Sequence, residues 1–364
     1  MTAVNDPSRV LVTGGAGFIG SCVVDQLADA GVDVVVLDNL SPAAHDVQPD
    51  YLNTRARYIW ADIRDPAAWS EALDGVGAVC HQAGRVGLGV DFGDVTDYVD
   101  DNDVGWAAGL AVMHQRQFAG RVVLASSMVV YGEGRYRCPT DGIVRPGRRS
   151  NDALAAGRFE PPCPVCGAPL IAESISEDAP LDPRNVYAAT KLHQEHLTAA
   201  FAAEHDVDAC WLRYHNVYGR RMPRNTPYAG VASIFRSVLE AGRAPQVTED
   251  GGQRRDFVHV DDVARMNVRA LLGAGAVTGA VNVASGTPHS VLEMADALAT
   301  AMGSKPGDAR WPVVSGTWRT GDVRHVFASS DRAERQFGHR ASTDFAEGLT
   351  AFATAPLRAS VATK

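Results

Sequence analysis

Residues 10–20 read Val-Leu-Val-Thr-Gly-Gly-Ala-Gly-Phe-Ile-Gly, and this stretch decides the fold. The apolar residues before Gly14 predict a buried strand, and those after Gly17 predict the first turns of a helix. Glycines at positions 14, 17 and 20 permit a tight turn, a close approach of the backbone to a pyrophosphate, and close packing of helix on strand. The stretch therefore predicts the beginning of a dinucleotide-binding α/β unit.

The pattern continues outward from this stretch as an alternation of short apolar runs with helical segments. The strands that it predicts are Arg9–Thr13, Val32–Asp38, Arg57–Ala61, Ala78–His81, Arg121–Ser127 and Ala209–Tyr214, and the helices are Phe18–Ala30, Tyr98–Gln117 and Val186–His205. Near-continuous apolar strands between helices indicate a parallel sheet that is covered on both faces. We therefore expect an α/β protein with a Rossmann-type, doubly wound parallel sheet.

The expected domain division follows from where this alternation stops. Residues 1–214 are expected to form the dinucleotide-binding domain, interrupted by a cysteine-containing insertion at 133–180 and completed by parts of 256–285. After Tyr214 the elements become shorter and the loops richer in arginine, proline and glycine. Residues 215–364 are therefore expected to form mainly a smaller, substrate-binding lobe.

The charge and hydropathy of the chain argue against several classes of function. The 34 Lys and Arg residues and the 43 Asp and Glu residues leave a formal net charge of −9, which argues against binding of nucleic acid or of an anionic membrane. The longest apolar run, near residues 32–37, is far shorter than the roughly 18 residues that a membrane span requires. The first residues are polar and show no secretory signal, and six cysteines in 364 residues are no disulfide framework. We therefore expect a cytoplasmic protein.

Two aspartates follow the second and third predicted strands. Asp38 lies 24 residues after Gly14, where a carboxylate accepts hydrogen bonds from ribose hydroxyls. It has no basic neighbour in sequence before Arg55, and its charge would repel a 2′-phosphate, which favours NAD over NADP. Asp62 would lie beside the adenine, although a solvated aspartate at a strand end accounts for it equally well.

A tyrosine and a lysine four residues apart, Tyr187 and Lys191, share one face of a predicted helix. The chain has only three lysines, so this pairing is informative, although a solvated lysine on an amphipathic helix is the alternative. A lysine about 4 Å from the phenol, at an effective dielectric constant near 20, would favour phenolate by about 4 kcal/mol. The pair therefore predicts a general base, and a serine hydroxyl of Ser126-Ser127, at the end of the fifth strand, can hydrogen-bond the substrate oxygen.

These motifs, together with His81–Gly84, Leu212–Asn216 and Arg255–His259, resemble the extended short-chain dehydrogenase/reductases of the NAD-dependent nucleotide-sugar epimerase/dehydratase family. The resemblance covers nearly the whole chain and implies NAD as cofactor, a nucleotide sugar as substrate, and Ser127, Tyr187 and Lys191 as catalytic residues. The cofactor-binding residues that it implies are Gly14, Gly17, Phe18, Ile19, Gly20, Asp38, Asn39, Asp62, Ile63, Gln82, Ala83, Gly84, Asn102, Tyr187 and Lys191. We also expect a homodimer.

The same resemblance implies a set of substrate contacts in the second half of the chain and after the fourth strand. These residues are Arg85, Val86, Gly87, Ser127, Met128, Asn216, Val231, Gln253, Arg255, Arg319 and Asp322. Planar guanidinium groups suit phosphates, and a carboxylate suits a ribose diol. Together they are expected to hold the sugar and its nucleotide diphosphate.

The residues after Ser127 limit the reaction that the resemblance implies. Dehydratases of the family carry Thr-Asp-Glu where Ser127-Met-Val129 stand here, and uronate decarboxylases carry a glutamate in place of Val129. Methionine and valine transfer no protons, so 4-epimerisation is favoured. Residues 131–136, the insertion and residues 224–231 resemble the dTDP-L-rhamnose 4-epimerase branch.

Three alternatives stay open at this point. The first is another epimerase or dehydrogenase of the UDP-glucose or UDP-glucuronate type. The second is an NAD-dependent reductase of a small ketone, against which the arginines of the lobe and Asn216 argue. The third is a non-catalytic NAD sensor, a class that commonly loses the tyrosine–lysine pair that this chain keeps.

The insertion holds seven of the 19 prolines and three of the six cysteines, so it is interpreted as a surface segment without core elements. Cys163-Pro-Val-Cys-Gly167 is a turn of the kind that wraps Zn²⁺ with two thiolates. Cys138, Cys163 and Cys166, with Asp141 as a fourth partner, predict a structural zinc site. A turn-rich loop with free thiols is the alternative.

Overall fold

The computed structural model describes residues 7–87, 92–224, 230–274 and 278–358. Its strands are β1 (Arg9–Thr13), β2 (Asp33–Asp38), β3 (Arg57–Trp60), β4 (Ala78–His81), β5 (Arg121–Ser127), β6 (Arg135–Cys138), β7 (Gly142–Val144), β8 (Ile171–Glu173), β9 (Ala209–Tyr214), β10 (Asn216–Tyr218), β11 (Gln246–Val247), β12 (Arg254–His259), β13 (Gly279–Val283), β14 (Pro288–Ser290), β15 (Val313–Val314) and β16 (His325–Val326). Residues 225–229, inside the 224–231 stretch considered above, lie outside the described residues.

The α-helices in the described part of the chain cover both faces of the main sheet and build most of the second lobe. They are α1 (Phe18–Asp29), α2 (Pro66–Ala72), α3 (Val95–Tyr98), α4 (Gly105–Gln115), α5 (Asn151–Ala155), α6 (Val186–His205), α7 (Val231–Glu240), α8 (Val260–Leu272), α9 (Val291–Ala301), α10 (Asp331–Phe337) and α11 (Phe345–Thr354). Within these residues, none of the helices is long and apolar enough to cross a membrane.

A seven-stranded parallel sheet in the order β13-β9-β5-β4-β1-β2-β3 forms the centre of the molecule. The expected Rossmann-type, doubly wound fold is therefore confirmed. The chain leaves β1 toward β2 on one side and returns to β4 on the other, so the strand order reverses between β1 and β4. Ligands of such sheets bind outside the carboxyl ends of the strands at this reversal.

The alternation of side chains along β1 explains why the sheet has a core on each face. Val10 and Val12 pack on one side with apolar residues of α1 and α8, whereas Leu11 packs on the other side with Trp69 of α2 and Trp106 of α4. All five side chains are fully buried. Burying a large apolar side chain contributes roughly 1.5–3 kcal/mol, so both helical layers are held firmly on the sheet.

A second apolar cluster lies outside the sheet, among α7, α9 and α11. Phe235, Leu298 and Phe352, one from each helix, are buried there together with Phe257 of β12. Ser290 begins α9 with a capping box, in which its hydroxyl accepts from the Glu293 amide and the Glu293 carboxylate accepts from the Ser290 amide. Capping of this kind satisfies helix amides that would otherwise lack partners.

Two sequence interpretations need correction. The predicted helix Tyr98–Gln117 is broken into α3, a π-helical turn at Val99–Val104, and α4. The insertion is not devoid of core elements, because β6 pairs with both β7 and β8 and the side chain of Tyr136 is fully buried. Its phenol donates to the Glu133 carboxylate at 2.8 Å, so polar pairing holds the segment where apolar periodicity is absent.

Candidate active site

The turn between β1 and α1 lies directly against the end of β4. Gly14 has φ +66°, and its amide donates to the carbonyl of Leu37 at 2.9 Å. A Cβ at Gly14 would stand 2.7 Å from Cα of Ala83, and one at Gly20 would overlap the Gly14 carbonyl. Gly17 begins α1 without any side-chain cap, which leaves the amides at the helix N-terminus for a ligand phosphate. Phe18 and Ile19 are partly buried against the sheet core.

Asp38 ends β2 beside this turn, as the sequence predicts. Its carboxylate accepts from the backbone amides of Ala16 at 3.0 Å and of Leu40 at 2.8 Å. Burial raises the pKa of Asp38, and the two amide hydrogen bonds act in the opposite direction. A carboxylate has about four lone-pair sites, so two sites remain for ribose hydroxyls.

The argument that Asp38 has no basic neighbour holds only for the local sequence. Arg358 lies close enough for its charge to lower the pKa of Asp38, and it also hydrogen-bonds the phenol of Tyr51. Its backbone amide donates to the carbonyl of Met222 at 3.1 Å, and its carbonyl accepts from Arg224 at 3.2 Å. A segment 320 residues away in sequence therefore reaches the surroundings of Asp38.

Asp62 and Ile63 have different surroundings. Hydrogen bonds from the Arg64 guanidinium lower the pKa of Asp62 to about 2, and Asn39 donates to the same carboxylate at 3.1 Å. The Ile63 side chain is buried in the core, and its carbonyl accepts from the Trp69 indole at 2.6 Å. The Ile63 side chain thus packs in the core, whereas the Asp62 carboxyl, just after β3, stays ionised.

The residues after β4 are fixed by polar contacts with neighbouring strands. Nε2 of Gln82 donates to the phenol of Tyr214 at 2.9 Å and to Oδ1 of Asn267 at 3.0 Å. The amide of Ala83 donates to the hydroxyl of Thr13 at 3.2 Å. A Cβ at Gly84 would stand 3.5 Å from Nζ of Lys191, so the end of β4 adjoins the lysine of α6.

Asn102 occupies the π-helical turn and is completely buried. Its side chain accepts from the Arg85 amide at 2.7 Å and donates to the Arg85 carbonyl at 3.1 Å and to the Thr190 hydroxyl at 2.9 Å. Single π-helical turns are frequent at functional sites because they redirect one side chain. Here the turn directs Asn102 between the end of β4 and α6.

Ser127 lies within hydrogen-bonding reach of Tyr187 at the carboxyl edge of the sheet. Ser127 ends β5, and Tyr187 lies in the first turn of α6, whose cap is the Asn185 side chain, accepting from Ala188 at 2.8 Å. Burial raises the pKa of Tyr187 to about 12, and the hydrogen bond with Ser127 acts to lower it. Ser126 points elsewhere and is buried against Glu195, as a packing residue should be.

The ammonium of Lys191 is held by two acceptors of the protein itself. It donates to the carbonyl of Ala125 and to Oε1 of Gln194, both at 3.0 Å. Burial lowers the pKa of Lys191 to about 8. Spacing along the helix places both residues on one face, but the long lysine side chain turns toward β5.

Gln194 is a site residue that the sequence interpretation did not include. It accepts from Lys191 and donates to the carbonyl of Asn102 at 2.8 Å, and it is fully buried. Its position three residues after Lys191, on the same helical face, is the signal that would have found it.

The expected substrate residues of the second lobe include two with unpaired amide oxygens. Among the described residues, Oδ1 of Asn216 and Oε1 of Gln253 are buried and have no hydrogen-bond partner. Nε2 of Gln253 donates to the carbonyl and to the hydroxyl of Thr248, both at 3.2 Å. An unpaired buried amide oxygen is costly, so these two groups fit a polar ligand.

Arg255, Arg319 and Asp322 form a second group. Arg255 donates to the carbonyls of Val323 at 2.7 Å and of Arg324 at 2.9 Å. Burial raises the pKa of Asp322, and the charges of Arg255 and Arg319 lower it, so both guanidinium groups lie near this carboxyl. Arg319 is exposed.

Three expected substrate residues after β4, namely Arg85, Val86 and Gly87, make contacts with protein groups. The Arg85 guanidinium pairs with Asp101 at 3.0 Å and with Asp97 at 3.2 Å. The carbonyls of Val86 and Gly87 accept from the phenol of Tyr98, and the Val86 side chain is exposed.

Met128 lies next to the end of β5 and packs against one apolar cluster. Val231 begins α7 and packs against another.

The expected zinc ligands lie together in the insertion, where Cys138, Cys163 and Cys166 converge with Asp141.

Comparison with known proteins accounts for this architecture. The sequence pattern of the NAD-dependent epimerase/dehydratase family matches residues 10–150 and 163–284. The chain belongs to this family. Residues 151–162, inside the insertion, are unmatched, whereas the rest of the insertion falls within the matched ranges.

Two relatives are similar over nearly the full chain. The dTDP-L-rhamnose 4-epimerase of Burkholderia thailandensis is 31% identical over 356 residues, covering 94% of this chain and 93% of the relative. The UDP-glucose 4-epimerase of Mycolicibacterium smegmatis is 31% identical over 350 residues, covering 94% and 96%.

Solved structures of family members share the fold. The UDP-glucose 4-epimerase of Thermus thermophilus in complex with NAD is 28% identical and superposes with a TM-score of 0.74 over 95% of this chain and 97% of the other. The enzyme of Thermotoga maritima with UDP-glucose is 25% identical, with a TM-score of 0.76 and the same coverage.

Proposed function

We propose that the protein is an NAD-dependent isomerase that inverts C4 of a nucleotide-linked hexose. The single observation that carries this proposal is that Ser127 and Tyr187 lie together at the carboxyl edge of the sheet, where the serine lowers the pKa of the phenol. Met128 and Val129 follow the serine, and neither side chain can donate or accept a proton. The pair therefore supports removal and return of one hydroxyl proton, and Met128 and Val129 supply no acid or base for elimination or decarboxylation.

The roles of the residues follow from their positions. When bound, NAD would supply the hydride acceptor and donor that inversion at C4 requires. Ser127 would hold the O4 hydroxyl, and the Tyr187 phenolate would remove its proton and later give it back. Lys191, adjoining Gly84 and held by Gln194, would contact the cofactor.

We assign the cofactor to the turn at Gly14 and Gly17, with Asp38 on the ribose. This assignment rests on the uncapped start of α1 and on the remaining lone pairs of the buried carboxylate. Asp62 is assigned to the adenosine end. The domain division expected from sequence is retained as part of the proposal, with residues 1–214 mainly for cofactor and residues 215–364 mainly for substrate.

We assign the nucleotide diphosphate to Asn216, Gln253, Arg255, Arg319 and Asp322. Two unpaired amide oxygens, two guanidinium groups and a carboxylate form a set that suits phosphate oxygens and ribose hydroxyls. The relative with 31% identity from Burkholderia thailandensis makes dTDP-L-rhamnose the first substrate to test. The zinc ion expected in the insertion supplies no step of this reaction, so the proposed function stands without it.

The experiment is turnover in D₂O with dTDP-L-rhamnose, UDP-glucose and UDP-glucuronate, followed by NMR. We expect the C4 epimer of one of them, with the original hydrogen kept at C4 and no net NADH. Deuterium at C4, loss of water or carbon dioxide, or accumulation of NADH would overturn the proposal.

The Tyr187→Phe variant tests the base. Turnover should fall below about 1% of the wild-type rate with substrate binding kept, because the phenol acts only in the chemical step. Tyr58→Phe is the matched control, because it removes a phenol hydroxyl that is not assigned to the reaction. Tyr58 lies in β3, and its phenol accepts from the Asn53 amide at 3.0 Å. Retention of more than about a tenth of the rate in Tyr187→Phe would remove Tyr187 from this role.

The expected homodimer and cytoplasmic setting stay predictions. Light scattering coupled to size-exclusion chromatography tests the first.

A further inference from the structure

Four potential metal ligands converge within the insertion, away from the residues assigned to catalysis. Cys138 ends β6, Asp141 lies in the β6–β7 turn, and Cys163 and Cys166 lie on a separate turn that follows α5. Their sulfur and oxygen atoms all lie within 4.8 Å of one another. Cys138 and Cys163 are buried, whereas Asp141 and Cys166 are exposed.

The distances between these atoms match a tetrahedral ion. Oδ2 of Asp141 lies 3.2 Å from Sγ of Cys138 and 3.2 Å from Sγ of Cys163, and the sulfurs of Cys138 and Cys166 are 3.5 Å apart. Zinc–sulfur bonds of about 2.3 Å and zinc–oxygen bonds of about 2.0 Å place tetrahedral ligands roughly 3.5–3.8 Å apart. The observed separations are shorter than these values by about 0.3 Å.

The backbone around the sulfurs is arranged for thiolates. The amide of Val165 donates to Sγ of Cys163 at 3.4 Å. The turn closes when the amide of Gly167, at φ +76°, donates to the carbonyl of Cys163 at 2.9 Å. Amide hydrogen bonds favour a charged sulfur over a neutral one, and a metal requires the charged form.

We propose that Cys138, Asp141, Cys163 and Cys166 bind one structural Zn²⁺. Three thiolates and one carboxylate complete a tetrahedral shell and leave no position for water or substrate, so the ion takes no part in the reaction. The thiol protons leave to solvent as the zinc–sulfur bonds form. Zinc suits this set because it accepts sulfur and oxygen ligands in tetrahedral geometry without redox change.

The segment that the ion would close reaches the proposed nucleotide site. Between Cys138 and Cys163, Arg149 donates to both oxygens of Glu249, at 2.7 and 2.9 Å, and to the carbonyl of Asp322 at 2.7 Å. Side chains of Arg149 and Glu249 are almost completely buried. Closing a loop reduces the freedom of the chain that lies within it.

Glu160, in the same segment, makes a second connection. It accepts from the Arg324 guanidinium at 2.8 Å and pairs with the ring of His325 at 2.9 Å. The Arg324 carbonyl in turn accepts from Arg255 at 2.9 Å. The zinc would therefore hold the chain that fixes Arg255 and Asp322, a consequence that rests on the proposed function.

Elemental analysis of the full-length protein, expressed in zinc-supplemented medium, tests the site. We expect about one zinc per chain in the wild type, and less than about 0.2 in Cys163→Ser. Cys210→Ser is the matched control, because Cys210 is a buried free thiol in β9. Asp141→Cys should keep the ion.

Less than about 0.2 zinc in the wild type, iron in place of zinc, a Cys138–Cys166 disulfide by mass spectrometry, or equal zinc loss in Cys210→Ser would overturn the proposal. If Cys163→Ser fails to fold, chelation of the wild-type zinc and its restoration give the same measurement.

Kinetics test the consequence separately. Zinc-depleted protein should show a KM for the nucleotide sugar raised by about 3- to 10-fold with kcat within about 2-fold, since only substrate positioning changes. An unchanged KM, or a lost kcat, would overturn the coupling to the nucleotide site. If no nucleotide sugar is turned over, the proposed function fails while the zinc content still decides the metal site.

Discussion

Lys191 donates a 3.0 Å hydrogen bond to Oε1 of Gln194, its neighbour one turn along α6. Nε2 of Gln194 then donates to the carbonyl of Asn102, in the π-helical turn, at 2.8 Å. The lysine is therefore oriented jointly by α6, by that turn and by the Ala125 carbonyl of β5. A buried ammonium held in this way is costly to fold, which suggests that function retains it.

Replacing Lys191 with Met should separate stability from activity. Burial lowers the pKa of Lys191 to about 8, below its value in an unfolded chain, so the unfolded wild type binds more protons between these two pH values. Wild-type stability should therefore gain a contribution as pH rises from about 8 to 10, and the variant should lack it. Denaturation at several pH values measures this difference.

Turnover of Lys191→Met should fall by at least about 100-fold while the variant is no less stable than wild type at pH 7. A loss of more than about 2 kcal/mol at that pH would mean that the ammonium stabilises the fold.

Ser127→Ala should shift the pH dependence of kcat upward. The Ser127 hydrogen bond lowers the pKa of the Tyr187 phenol, so its removal leaves less phenolate at any given pH. A hydrogen bond to a charged group contributes about 1.5–3 kcal/mol, which moves the rising limb by roughly one to two pH units. Ser126→Ala is the control, because that hydroxyl bonds Glu195 instead. If the rising limb of the kcat profile of Ser127→Ala stays at the wild-type pH, Ser127 does not lower the pKa of the Tyr187 phenol.

Cofactor extracted from the purified protein should be NAD(H), and Asp38→Asn should reduce the preference over NADP(H). The asparagine keeps the size of the side chain and removes the charge that repels a 2′-phosphate. Arg358→Ala should act in the opposite direction, since its positive charge lies near Asp38. Calorimetry on the cofactor-free proteins measures the affinities for NAD and NADP and so tests both variants. Predominantly NADP in the extract of the wild type would contradict the assignment of Asp38.

Asn216→Leu should raise KM for the nucleotide sugar by about 10- to 100-fold, as expected for about 1–3 kcal/mol at a buried polar group. Oδ1 of Asn216 has no partner within the described residues, so its loss should not cost stability. Asn216→Asp keeps the shape and adds a negative charge, and it should bind diphosphate still less well. An unchanged KM in both variants would contradict the assignment of the diphosphate to Asn216.

The regular part of the fold could be predicted from sequence because its signals are local. The bounds of β1, β5 and α6 agree with the apolar runs and with helix spacing. The π-helical turn at Val99–Val104 could not be predicted, since one extra residue in a helical turn leaves the apolar pattern almost unchanged. The small sheet around Tyr136 was missed because its buried residues are held by polar partners.

Candidate site residues could be predicted where a single strand or helix positions them. Side-chain directions that depend on contacts between distant segments could not. Gly14, Asp38, Ser127 and Tyr187 all lie at strand or helix ends that the sequence marks. The direction of the Lys191 side chain depends on Ala125 and Gln194, and helix spacing carries no information about that choice.

The pairing of Arg358 with Met222 and Arg224 has a practical consequence for handling the protein. It brings the C-terminal segment to the rim of the pocket that Asp38 lines, so an affinity tag fused at that end would be tethered beside the cofactor. Cofactor retention and thermal-shift values from such a preparation would then report on the tag linker as well as on the enzyme. An N-terminal tag, or a cleavable one, keeps the two contributions separate.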